Sequence, residues 1–94
     1  MPKRVDNNQK KIVEKFRQLG ASVQILSMIG KGCPDILVGL NGKNYLFEIK
    51  NPDQPISQQV LTEHEIRFFA NWNGHVEIIK TEEEVTNFVK SCYG

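Results

Sequence analysis

The stretch Gly32–Lys50, GCPDILVGLNGKNYLFEIK, decides the fold. Ile36 to Leu40 and Tyr45 to Lys50 are apolar, β-prone runs of strand length. Asn41-Gly42 between them supplies residues that tolerate the positive φ of a tight hairpin turn. The stretch therefore predicts a β-hairpin. Side chains alternate across a strand, so Glu48 and Lys50 project from one face and Ile49 from the other. A hairpin brings Asp35, which opens the first strand, beside that pair, with the Ile49 carbonyl near the same edge. Two carboxylates, one ammonium and one carbonyl oxygen then share a small volume. Hard cations such as Mg²⁺ take oxygen ligands, usually one or two carboxylates plus waters and substrate phosphates. A lysine beside them suits holding a water or countering phosphate charge.

Outward from the hairpin, helices and strands alternate. From about Asp6 to Leu19 the apolar residues Ile12, Val13, Phe16 and Leu19 recur at helical spacing. Asp6 or Asn7 is placed to cap that helix and Gly20 to end it. Ala21 to Ser27 reads as a strand with Val23 and Ile25 inward, and Met28–Gly32 as a glycine-bracketed loop carrying Lys31. After the hairpin, Asn51-Pro52-Asp53-Gln54-Pro55 is a turn-rich linker. Thr62-Glu63-His64-Glu65 matches a capping box and opens a helix to about Trp72, burying Ile66, Phe69 and Trp72. His75 to Lys80 reads as a fourth strand with Val76 and Ile78 inward. Thr81-Glu82-Glu83-Glu84 is a second capping box, for a C-terminal helix with Val85, Phe88, Val89 and Cys92 on one side. The order is α-β-β-β-α-β-α. A helix between the third and fourth strands demands a crossover, so those two strands run parallel and the sheet is mixed.

At 94 residues, 39% hydrophobic and 24% charged, the chain has the composition of one ordinary globular domain. No apolar run approaches the ~20 residues that span a bilayer, and MPKRVDNNQKK lacks the apolar core of a signal peptide. Cys33 and Cys92 make a poor disulfide framework and fit a reducing, cytoplasmic setting. Neither sits at metal-ligand spacing from a histidine, so zinc is not expected. Net charge is +1, but residues 1–50 hold nine Lys/Arg against four Asp/Glu, and residues 51–94 three against seven. Five of the nine lie between Lys10 and Lys31. Local positive charge, not overall charge, is what a face for a polyanion needs. Lys10, Lys11 and Lys31 read either as a solvated surface or as candidate phosphate contacts, which become candidate DNA contacts under the resemblance that follows.

Pro34-Asp35, twelve intervening residues and Glu48-x-Lys50 resemble the PD-(D/E)XK nuclease motif. With Gly32-x-Pro34-Asp35 in front, the segment is similar to the VRR-NUC branch, which contains small stand-alone nucleases related to Holliday junction resolvases. The resemblance covers nearly the whole chain and implies a restriction-endonuclease-like αβββαβ core, with an extra C-terminal helix here. It implies a single nuclease domain over residues 1–94 that hydrolyses DNA phosphodiesters with Mg²⁺ or Mn²⁺. Asp35, Glu48 and the Ile49 carbonyl are then metal ligands, and Lys50 orients or activates the water. Branched DNA such as four-way junctions is the implied substrate, and a homodimer the implied working unit. A flap or nicking nuclease of the same fold, or a non-catalytic DNA-binding module, are the alternatives. The family adds an acid from the first helix. Asp6 and Glu14 compete for that place, and an antiparallel packing of helix and first strand favours Asp6, at the end near the metal. A glutamine or glutamate in the helix after the lysine is also usual. Glu65 stands there, but the capping box accounts for it, which leaves it outside the expected catalytic set. Gln58 and Gln59 are further possible DNA contacts, and His64 and His75 read as surface residues.

Overall fold

The computed structural model describes residues 7–94; Asp6, expected as cap or helix acid, lies outside the described residues. The elements are α1 (Asn7–Gln18), β1 (Ser22–Ile25), β2 (Ile36–Leu40), β3 (Lys43–Ile49), a short 3₁₀ turn (Ile56–Gln58), α2 (Glu63–Asn71), β4 (Val76–Ile79) and α3 (Glu82–Tyr93). Their order is the expected one, and local chemistry explains most boundaries. Gly20, at φ 95°, ends α1. Its amide bonds to the Arg17 carbonyl and the Ala21 amide to that of Phe16, the double closure of a Schellman motif. Thr62 with Glu65 and Thr81 with Glu84 both form full capping boxes. The β2–β3 hairpin closes through Asn41 and Gly42, at φ 52° and 77°, with Leu40 facing Lys43. Two consecutive positive φ values define a type I′ turn, whose twist matches that of the strands.

The sheet order is β1-β2-β3-β4, antiparallel across the first three strands and parallel between β3 and β4. The described residues are thus α/β, with a mixed four-stranded sheet and three α-helices. Ile36, Val38, Leu40, Phe47 and Ile79 turn to one face, where Ile12, Val13 and Phe16 of α1 and Val85 and Val89 of α3 cover them. Phe16 and Phe47 meet at 5.1 Å, and Phe88 of α3 packs its edge on Phe47 at 4.9 Å. Glu48 and Lys50, offset by one residue from Phe47 and Ile49, emerge on the other face, where α2 lies. The hairpin register fixes this, because a one-residue slip would exchange the two faces.

Three burial expectations need correction. Ile25 is 41% exposed: it ends a four-residue edge strand, and only Val23 packs against the core. In β4 the deeply buried residue is Ile79, at 2% exposure, and Val76 and Ile78 are only half-buried. They face the thinly covered side of the sheet, which one short helix serves. On α2 itself no residue is buried, and Ile66 and Trp72 stay half exposed. The rotation of α2 is set by Glu65 reaching the sheet. Ile66, one residue on, points about 100° away. No helix among the described residues is long and apolar enough to cross a membrane.

Candidate active site

The site gathers at one end of the sheet, where β1, β3 and β4 finish and β2 begins. Asp35 is tied in twice: its amide donates to the Phe47 carbonyl, and its Oδ2 accepts from the Ile49 amide at 2.8 Å. The Ile49 backbone thus meets Asp35 through its N–H. Lys50 Nζ lies 3.7 Å from Glu48 Oε2 and 2.8 Å from Glu65 Oε1. The structure therefore brings Asp35, Glu48 and Lys50 together and adds Glu65, which sequence reasoning set aside. Glu65 Oε1 accepts both from the Thr62 amide, as the capping box requires, and from the Lys50 ammonium. Capping and contact with Lys50 are compatible, and the resemblance drawn from the sequence was the signal that pointed to this position.

Electrostatics separate the roles. Burial pushes the Glu48 carboxyl up to about 9, with the Asp35 and Glu65 carboxylates adding to the rise. Its side chain is 5% exposed, and its Oε1 is buried with no hydrogen-bond partner. Burial alone would lower the Lys50 ammonium, but its hydrogen bond to Glu65 and the charges of Glu65, Glu48 and Asp35 hold it above its ordinary value. Burial would likewise raise Glu65, yet bonds from Lys50 and the Thr62 amide hold it low. Lys50 and Glu65 are therefore a charged pair at neutral pH. Glu48 keeps its proton unless something else neutralises it. Cys33, beside them, is a thiol raised by burial and by Asp35 and Glu48, which makes it inert as a nucleophile.

An unpartnered buried carboxylate oxygen next to a second carboxylate is the environment a hard cation relieves. Among the described residues no three His, Cys, Asp or Glu groups converge as a ligand set. Asp35 and Glu48 are the pair on offer, and one or two carboxylates completed by water and phosphate is the usual Mg²⁺ arrangement. The all-oxygen donors fit Mg²⁺ or Mn²⁺ better than softer metals.

The remaining residues fall around this centre. Asn8 Nδ2 donates to the carbonyls of Lys50, at 2.8 Å, and Lys80, at 3.0 Å. The N-terminus of α1 therefore sits over the site end of β3 and β4, the helix direction that had favoured Asp6. Glu14 is exposed, six residues or ~9 Å further along the axis, in a cleft with Lys10, Arg17 and Ile25. Lys31 lines a different cleft, against α2. Lys10 and Lys31 therefore do not share one groove, and Lys11 is exposed on α1. Gln59 is engaged internally: its side-chain nitrogen bonds the Pro52 and Gln54 carbonyls and its oxygen accepts from Lys80. Gln9, on the buried side of α1, reaches the Ser27 hydroxyl at 3.5 Å and tethers the helix to the loop after β1, a role that no local sequence signal marks. His75 pairs with Glu77, an i,i+2 match on one strand face that alternation could have revealed. The chain matches no protein-family model, no curated protein and no solved structure.

Proposed function

We propose that the chain is a Mg²⁺- or Mn²⁺-dependent deoxyribonuclease of the PD-(D/E)XK type, in its VRR-NUC branch, with a restriction-endonuclease-like core. The observation that carries this reading is the orphaned Glu48 Oε1 beside Asp35, with the charged Lys50–Glu65 pair 3.7 Å from Glu48. Folding alone gives no reason to set Glu65 and Glu48 at 2.8 and 3.7 Å from one ammonium with a third carboxylate, Asp35, beside Glu48, because desolvating them is unfavourable without a ligand. Asp35 and Glu48 would hold the cation, with the Ile49 carbonyl as a further oxygen. When bound, the cation supplies a lowered water pKa and offsets phosphoryl charge. Lys50 stays protonated near neutral pH, so it orients water and counters phosphate charge and does not itself abstract a proton. Glu65 fixes the Lys50 ammonium. Asp6 remains the proposed helix acid, since Asn8 fastens that end of α1 over the Lys50 carbonyl. Branched DNA is the proposed substrate and a homodimer the proposed unit, two symmetric cuts suiting two copies.

A cleavage panel tests this: duplex, single strand, flap and four-way junction, each with Mg²⁺, Mn²⁺ and EDTA. Metal-dependent cutting that is lost in Asp35→Asn and Lys50→Ala, while DNA binding survives, is the expected result. Preference for the flap over the junction would select the flap nuclease. Wild-type cutting rates in both variants would refute the site.

A further inference from the structure

Beyond Glu65, α2 runs on past the site, and an open cleft of about 310 Å³ follows it, lined by Lys31, His64, Arg67, Phe68, Asn71 and Trp72. Among the described residues no carboxylate lines this cleft, and three of the six that do line it carry basic side chains. Glu63 pairs with Arg67 at 2.7 Å, but both side chains are at least 67% exposed. Such a pair is weak and yields readily to an anion. Phe68 and Trp72 stack with ring centroids 5.1 Å apart and planes at 19°, yet Trp72 remains 47% exposed. The Lys31 loop forms the facing wall. A Cβ on Gly32 would stand 2.4 Å from the His64 carbonyl oxygen, so only glycine lets loop and helix touch there. The residue after His64 is Glu65, so the cleft begins where the carboxylate site ends.

We propose that this cleft holds one unpaired nucleotide of a DNA strand, its base against the Phe68–Trp72 pair and its phosphate near Lys31 and Arg67. The proposal rests on the nuclease reading for the path of the strand past Lys50. Stacked rings with a cationic rim are how proteins hold single strands irrespective of sequence. A base inside a duplex is already stacked on both faces and cannot enter. The volume lies within the range of small-molecule sites.

Trp72 is the chain's one tryptophan, so its emission reports the cleft directly. The titration is made in EDTA, without cleavage, using an oligothymidylate of about eight nucleotides, an abasic strand of equal length and a blunt duplex. Quenching by the oligothymidylate alone is expected. By anisotropy of a labelled oligothymidylate, Trp72→Ala should bind roughly tenfold more weakly and Trp72→Phe should retain most of the affinity. Lys31→Asn, which tolerates the φ of 55° at this position, should weaken binding and flatten its salt dependence. Equal quenching by the abasic strand, or unchanged affinity in Trp72→Ala, overturns the proposal. A wild-type protein that cuts DNA with Mg²⁺ but shows no base-dependent quenching overturns the cleft alone. Base-dependent quenching in a protein that cuts nothing upholds the cleft and removes the nuclease.

Discussion

Replacing Glu48 with Gln should make the metal-free protein more stable at alkaline pH and erase most of its pH dependence. In the folded chain the Glu48 carboxyl sits at about 9, against an ordinary value of 4.5. Between those values the native state keeps a proton that the unfolded state releases. Stability is then complete below about pH 4.5, falls as pH rises, and the loss is finished once pH passes about 9. Each pH unit within the window corresponds to about 1.4 kcal/mol. From pH 5 to pH 8 the loss is therefore at most about 4 kcal/mol for the metal-free wild type. Lys50, raised, and Cys33, raised, contribute only at higher pH, and Glu65, lowered, only at lower pH. The window therefore belongs to Glu48. At ~4–8 °C per kcal/mol for a domain of this size, differential scanning fluorimetry resolves the effect easily. Gln is nearly isosteric and does not titrate, so the variant should show a flatter profile and a higher Tm at pH 8. Mg²⁺ or Mn²⁺ should restore wild-type Tm at pH 8, by about 2.7 kcal/mol at a hundredfold excess over Kd, and should do little for Glu48→Gln. A wild-type Tm that is flat from pH 5 to pH 8 in EDTA, or a variant with the same slope, would refute the reasoning.

Asn8→Ala removes a side-chain amide that donates to both the Lys50 and Lys80 carbonyls. Chemical denaturation should show a loss of about 1–3 kcal/mol, because two partly buried acceptors are left without it. Converting Lys10, Lys11 and Lys31 to Ser should weaken DNA binding. If all three touch phosphates, the slope of log affinity against log salt should fall by ~2–3; an unchanged slope would make them solubility residues. Asp6→Asn should lower cleavage strongly with little change in Tm, whereas Glu14→Gln, ~9 Å along α1 from Asn8, should do little to either. The reverse pattern would move the helix acid to Glu14.

The order of elements was legible because most boundaries carry their own local chemistry. Gly20, Asn41-Gly42 and the two Thr-x-x-Glu boxes each act within a few residues and need no knowledge of the rest. The meeting of Asp35, Glu48 and Lys50 was legible one step further out, since strand parity and a two-residue turn fix the register. What failed was everything that depends on how many layers cover a face. Periodicity marks Ile66 and Trp72 as an apolar stripe but cannot say that α2 has only a thin layer to pack against. Charge counted along the chain put Lys10 and Lys31 in one basic block, yet they line separate clefts.

Glu65 is the instructive case, because its local role concealed its distant one. A capping box accounts for one hydrogen bond to its Oε1, and nothing local foretells that the same oxygen receives Lys50 from fifteen residues away. A physical clue was present nonetheless. A lysine at the end of an inner strand is desolvated and needs a counter-charge, and Glu48, on the same strand face, is itself crowded by Asp35. An acid from another element was therefore required to keep Lys50 charged. Once Glu65 takes the short contact to Lys50, at 2.8 Å, Glu48 shares that ammonium only at 3.7 Å and has the Asp35 carboxylate beside it. A proton on Glu48 balances part of that charge in the bare protein, at the expense of stability whenever pH rises. A divalent cation would balance it better, so the residues that weaken the bare fold at high pH are the ones proposed to hold that cation.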